Sequence, residues 1–196
     1  MLIFCDSYGQ VRYALYLAEQ SSKPVTIAVL EFSDLAKFFQ TINRRVFDSM
    51  LSIIYIAPFL PIWSAETGWV RKILRTILDI PRERKYLRSV WKDNFSQFLG
   101  CEVVFIARGF SGMRYFLLSR LSKKSSLTYI ELVGLPRMIV HKAASVLDVA
   151  KLLVYKLTYG LDITLGEVPL TTAGFPWIPD RFIRRVDRIV GHTEQD

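Results

Sequence analysis

Apolar residues in this chain fall in short, nearly continuous runs: LIFC at 2–5, PVTIAVLEF at 24–32, MLSIIYIA at 50–57, CEVVFIA at 101–107 and SLTYIEL at 126–132. Runs of this length, rich in β-branched and aromatic residues, mark strands covered on both faces, since a half-exposed strand would alternate apolar with polar. Between the runs the period becomes helical. Residues 10–20 put Val11, Ala14, Leu15, Leu17 and Ala18 on one inward stripe, and Ser33 in SDLAKFF stands where an N-cap belongs. Residues 67–99 are helical with a break at Pro81, and 111–123 form a further helix. Strands alternating with helices at this spacing predict an α/β fold, a doubly wound, mainly parallel sheet with helices on both faces, because parallel neighbours need a crossover between them.

Past Pro136 the pattern changes. ASVLDVAKLLVYKLTYG carries Val146, Val149, Leu152, Leu153 and Leu157 at helical spacing and ends on Gly160, a C-cap. LDITL at 161–165 reads as a short strand. The stretch EVPLTTAGFPWIPDRF is rich in Pro, Gly and Thr and then turns basic and helix-like in RFIRRVDRIVGH. The expected organisation is a domain over 1–165, followed by a linker and basic tail over 166–196 that leads to a second domain or a partner.

The chain has 196 residues, 51% of them hydrophobic, which suits one sizeable core and excludes a disordered chain. A formal charge of +8 points to an anionic counterpart: a membrane surface, a nucleic acid or a phosphorylated substrate. Cys5 and Cys101 each border a strand run, which suits small buried thiols in a reducing compartment rather than a disulfide. Met1 leads straight into a strand run with no basic n-region, so a cytoplasmic placement is expected. The longest apolar run, LSIIYIAPFLPIW, is too short to cross a bilayer and holds Pro58 and Pro61, while Trp63 and Trp69 leave an interfacial role open. His141 and His192 have no Cys or acidic partner at ligand spacing, and no G-x-S-x-G elbow occurs, so neither a metal, a cofactor nor a serine-hydrolase site is expected.

Candidate chemistry lies where two strands end. MLIFCDSYGQVRYALYLAEQSSK at 1–23 is echoed by EVVFIARGFSGMRYFLLSRLSKKS at 102–125: an apolar run, a glycine-bearing turn, an Arg-Tyr pair and a helix ending in Ser and Lys. Turns of this kind lie at the carboxyl edge of a parallel sheet, where such folds bind ligands. The first places Asp6, Ser7, Tyr8, Gly9 and Gln10 at that edge, with a helix starting near Gly9 or Gln10 whose free N–H groups suit a phosphate or carboxylate. Asp6 either caps that helix or acts as a base toward a sugar hydroxyl. In the second, Gly109 and Gly112 bracket Ser111, with Arg108 and Arg114 alongside to fork onto anionic oxygens. Arg114 has a solvated helix position as its other reading. Glu131, closing the fifth strand run, either joins the cleft or satisfies a backbone amide.

WVRKILRTILDIPRERKYLRSVWKDNF at 69–95 is the strongest electrostatic feature. Trp69, Val70, Ile73, Leu74, Ile77 and Leu78 form an apolar stripe, with Arg71, Lys72, Arg75, Arg82, Arg84, Lys85, Arg88 and Lys92 around it. It is either a core-packing helix pair with a solvated basic face or a patch that docks on anionic lipid, each basic residue near the surface contributing about 1 kcal/mol. No nucleic-acid reading motif accompanies the charge, so nucleic acid is not an expected partner.

The chain resembles the N-terminal half of a GT-B glycosyltransferase, in particular bacterial enzymes that build capsule or other surface polysaccharides. The resemblance rests on LIFCDSYGQVRYALYLA, on GCEVVFIARGFSGMRYFLLSRLSKKSSLTYIEL and on KLLVYKLTYGLDITL, and covers residues 1–165. It implies a Rossmann-like domain that holds a glycan or lipid-linked acceptor, a separate domain or subunit that makes most contacts to a nucleotide-sugar donor, and no metal. It further implies a peripheral site on the inner face of the cell membrane. Under it, Asp6 deprotonates the acceptor, and Ser7, Gly9, Ser111 and Gly112 line the cleft. Two other classes fit the same residues: a stand-alone Rossmann-like module for a nucleotide or phosphometabolite, and a non-catalytic, membrane-associated partner subunit.

Overall fold

In a computed structural model of the chain the apolar runs become strands, and those at 2–5 and 25–30 are buried on both faces at once, whereas the run at 51–56 lies at the sheet edge with Ser52, Ile53 and Tyr55 exposed. The structure describes residues 1–5, 8–30, 50–57, 59, 69–107, 112–131, 140–142, 153–154, 156–160, 167–169 and 184–191. Strands β1 (Leu2–Cys5), β2 (Val25–Leu30), β3 (Leu51–Ile56), β4 (Val103–Ala107), β5 (Leu127–Glu131) and β8 (Arg188–Gly191) make one six-stranded sheet in the order β3-β2-β1-β4-β5-β8. Every pairing in it is parallel. Strands β6 (Val140–Lys142) and β7 (Glu167–Pro169) form a separate antiparallel pair, with His141 opposite Val168.

This is the Rossmann-like, doubly wound α/β fold expected, and its two cores show why. Side chains of β1 alternate: Leu2 and Phe4 enter one cluster, Ile3 and Cys5 the other, and all are fully buried. Helix α1 (Tyr8–Glu19) covers the Ile3 face with Val11 and Ala14, and Leu15, Leu17 and Ala18 pack against the same cluster at partial burial. Helices α2 (Trp69–Val90) and α3 (Gly112–Leu121) cover the Phe4 face, through Leu87 and Val90 from α2 and Leu117 and Leu121 from α3. Phe4 stacks on Phe95 at 5.3 Å and Phe105 on Tyr129 at 5.0 Å between ring centroids. Each such buried side chain contributes about 1.5–3 kcal/mol from apolar burial.

Four expectations change. Helix α2 does not break at Pro81 but runs through it to Val90. Proline removes one backbone donor, a local loss of about 3 kcal/mol, and the turns after it are anchored by Leu87 and Val90 in the core. The helix then widens into a π turn at Trp91–Phe95 and tightens into a 3₁₀ turn at Ser96–Phe98. RFIRRVDRIVGH is not helical over its last part: Arg188–Gly191 is the sheet's edge strand. A short helix gains little without packing, whereas the free edge of β5 offers backbone partners. Asp187 sets the register, since Leu127 N–H donates to its carboxylate at 2.7 Å and Asp187 N–H donates to Leu127 O at 3.0 Å. Residues 167–169, read as linker, pair as β7. Helix α1 starts at Tyr8, so Gly9 and Gln10 lie inside it.

Gly160 behaves as a C-cap, at φ +72° with its N–H bonded to Lys156 O at 3.0 Å. The helix expected after Ser33 and the strand LDITL lie outside the described residues.

Candidate functional site

Strand order reverses between β1 and β4, which are adjacent and parallel with Leu2 opposite Val103 and Phe4 opposite Phe105. Their carboxyl ends therefore share one edge at the switch point of the sheet, where doubly wound folds bind ligands. Two residues separate Cys5 from α1, and four separate Ala107 from α3. Two helix N-termini thus open beside one another from opposite faces of the sheet, each with first-turn N–H groups that the helix itself does not use and a positive dipole end.

The candidate residues divide by position. Tyr8 and Gly9 are the first two residues of α1, and Gln10, in its first turn, is almost wholly buried, its carbonyl accepting from the Cys5 thiol at 3.7 Å. Glu131 closes β5 directly beside Ala107. Asp6, Ser7, Arg108, Gly109 and Ser111 lie outside the described residues.

Arg114 is not a solvated helix residue. It is completely buried in α3, and its Nη1 donates to the carbonyl of Ile106 at 3.2 Å, so a guanidinium sits under the carboxyl edge of β4. Gly112 is the first residue of α3, and a Cβ there would meet the ring of Tyr159 at 2.4 Å. The room a glycine leaves is taken by that ring, whose hydroxyl donates to Glu83 of α2. Tyr159 therefore ties the start of α3 to α2. Sequence reasoning missed it; the hint was a glycine inside a helix, which costs stability relative to alanine and so marks a place where something packs close.

The described basic side chains of α2 at 82–88 do not form one patch. At about 100° per residue, Arg84 and Arg88 point one way around the helix and Arg82 and Lys85 another. Arg82 donates to the Asp79 carboxylate at 3.0 Å and lies 5.9 Å from the centre of the Phe59 ring. Lys85 is exposed. Arg71, Lys72 and Arg75 lie in the first half of the same helix.

Arg84 and Arg88 face a cavity of about 610 Å³ between α2, α3 and the helical residues 156–159. From α3 it takes Tyr115, Phe116, Ser119 and Arg120, one face of that helix, and Lys123 from the turn after it; beyond them stand Lys156, Thr158 and, just before β8, Arg185. Arg120 lies over the rings of Phe116 and Trp91, at 4.4 and 5.6 Å from their centres. Burial and, after it, the neighbouring Arg88 guanidinium lower its pKa below the ordinary arginine value.

Among the described residues no helix is long and apolar enough to cross a membrane, and no three His, Cys, Asp or Glu side chains come together as a metal site would require. No protein-family model matches the chain, and neither a curated protein nor a solved structure matches it.

Proposed function

We propose that this chain is the acceptor-binding part of a nucleotide-sugar-dependent glycosyltransferase in surface-polysaccharide or glycolipid synthesis, with donor contacts made by a further domain or subunit. The observation that carries the reading is the adjacency of β1 and β4 at the strand reversal. It brings to one edge the two strand ends whose following segments echo each other in sequence, Asp6–Gln10 and Arg108–Gly112. In this reading the Asp6 carboxylate takes the proton of the acceptor hydroxyl as its oxygen bonds to the anomeric carbon. The bond from that carbon to the nucleoside diphosphate breaks, and N–H groups at the helix starts stabilise the leaving diphosphate. The acceptor would be a glycan or a lipid-linked saccharide presented at the inner face of the membrane, with the exposed cations of α2 against anionic headgroups.

An Asp6→Asn change in the chain joined to its donor-binding part should lower transfer by about 10²–10⁴-fold and leave donor affinity nearly unchanged, measured by initial rates and equilibrium binding. Undiminished turnover would reject Asp6 as the base. Full-rate transfer by residues 1–196 alone would reject a separate donor-binding part.

A second reading, a stand-alone Rossmann-like module for a nucleotide or phosphometabolite, draws on the paired helix N-termini at that edge. It predicts thermal stabilisation of the isolated chain by one member of a nucleotide panel without any group transfer.

A further inference from the structure

The cavity between α2, α3 and residues 156–160 lies on the Phe4 side of the sheet, which α2 and α3 cover, and plays no part in the transfer chemistry above. Its volume of about 610 Å³ falls within the ~300–1,000 Å³ of small-molecule sites. Arg84, Arg88, Arg120, Lys123, Lys156 and Arg185 converge on it, and no acidic side chain is among its described lining residues. A solvated basic face is convex and lets its cations diverge into water; here they meet across a concavity, which focuses a positive potential inside it.

Thr158 adds an independent sign. It is 3% exposed and lines the cavity, yet its Oγ1 makes no hydrogen bond with a described residue. A buried hydroxyl without a partner costs about 1–3 kcal/mol, a cost removed when the threonine side chain turns to its other helical rotamer and meets an acceptor oxygen in the cavity. Arg120 is already aimed, its guanidinium held over Phe116 and Trp91. The repulsion it feels from Arg88 is relieved when an anion binds between them.

We infer that this cavity is a binding site for a ligand bearing two or more phosphate groups, held by Arg84, Arg88, Arg120 and Lys156 with the Thr158 hydroxyl as a further donor. One phosphate monoester carries about −1.5 to −2 charges, too few to neutralise the converging cations, whereas a diphosphate or triphosphate group approaches balance. The flank of Tyr115 and Phe116 gives the remainder of such a ligand an apolar surface. The phosphates can belong to a soluble compound or to a phosphorylated lipid headgroup, and the chemistry of recognition is the same.

The test uses the whole chain and inorganic tripolyphosphate in isothermal titration at physiological ionic strength. Saturable binding at one site is expected, at least about tenfold tighter than inorganic monophosphate. Arg84→Glu and Arg88→Glu, both exposed and outside the core, should each weaken it by about tenfold or more. Lys85→Glu makes the same change of charge one residue from Arg84 but outside the cavity, and should alter binding by less than about twofold. Thr158→Val should weaken it by several-fold.

Co-sedimentation then assigns the source. Capture by vesicles of phosphatidylcholine carrying phosphatidylinositol bisphosphate, lost in Arg88→Glu and displaced by tripolyphosphate, identifies a lipid headgroup; saturable titration without such capture identifies a soluble ligand. Unsaturable binding, or equal weakening by Lys85→Glu and Arg88→Glu, would overturn the site and leave only diffuse electrostatics. Because Asp6 is untouched in every variant, a failed titration leaves the transferase reading standing.

Discussion

The carboxyl edge at β1 and β4 and the cavity over α3 are both anion-competent, but they are built from different material. At the edge the chemistry comes from backbone: strand order, a parallel register and two helix starts. Over α3 it comes from side chains contributed by segments at 84–88, 115–123, 156–160 and 185, which nothing but packing brings together. A backbone site is robust to surface mutation and sensitive to the core beneath it. A side-chain site is the reverse.

Arg114→Ala should have the largest effect on stability. It deletes a fully buried side chain and a donor to Ile106 O under the edge, and should cost about 3 kcal/mol in urea unfolding. Arg84→Ala on the cavity wall should leave the urea midpoint unchanged. Equal midpoints for the two variants would erase the distinction between the regions.

Gly112→Ala is expected to destabilise by about 1–2 kcal/mol, because the new methyl displaces the Tyr159 ring and strains its bond to Glu83. In a Tyr159→Ala background the same change should be neutral or stabilising, since alanine suits a helix better than glycine. A double-mutant cycle measures the coupling, and its absence would show that Tyr159 does not link α3 to α2.

The smallest effect belongs to Arg88→Ala. A lowered guanidinium pKa at Arg120 penalises the folded state at every pH below it and is relieved only as pH climbs toward the ordinary arginine value, far above neutrality. The repulsion therefore shows as salt dependence rather than pH dependence. In the absence of ligand Arg88→Ala should stabilise the fold slightly at low ionic strength, by about a few tenths of a kcal/mol, seen as a small rise in melting temperature, and the gain should vanish as salt is added. A gain that persists at high salt would assign it to packing instead.

The strands were legible because their signal is local: LIFC and VVFIA are apolar at every position and VTIAVL at all but Thr26, and burial on both faces accommodates that. Helix α1 was legible for the matching reason, with Val11 and Ala14 at the spacing of one face. Pro81 misled because its cost is local while the anchoring of Leu87 and Val90 is not. RIVG at 188–191 misled because four residues carry no periodicity, and β5 rather than the segment itself makes it a strand. The echo of residues 1–23 in 102–125 marked two strand ends that the sheet makes neighbours. Arg114, however, read as a ligand-binding or else a solvated arginine, and its burial beneath β4 was not legible, since its sequence neighbours say nothing of what packs over α3.

Sequence alone determined the class of the fold, because hydrophobic period and run length fix which surfaces must leave water. It also placed two glycine-bearing segments after strands of one parallel sheet. Only the tertiary structure decided that those strands are neighbours, that the space at Gly112 belongs to Tyr159, and that cations a hundred residues apart in the chain, from Arg84 to Arg185, face one cavity. The physical reason is that burial is a property of each segment, whereas convergence is a property of how segments cross, and charge along a helix does not record what stands opposite it.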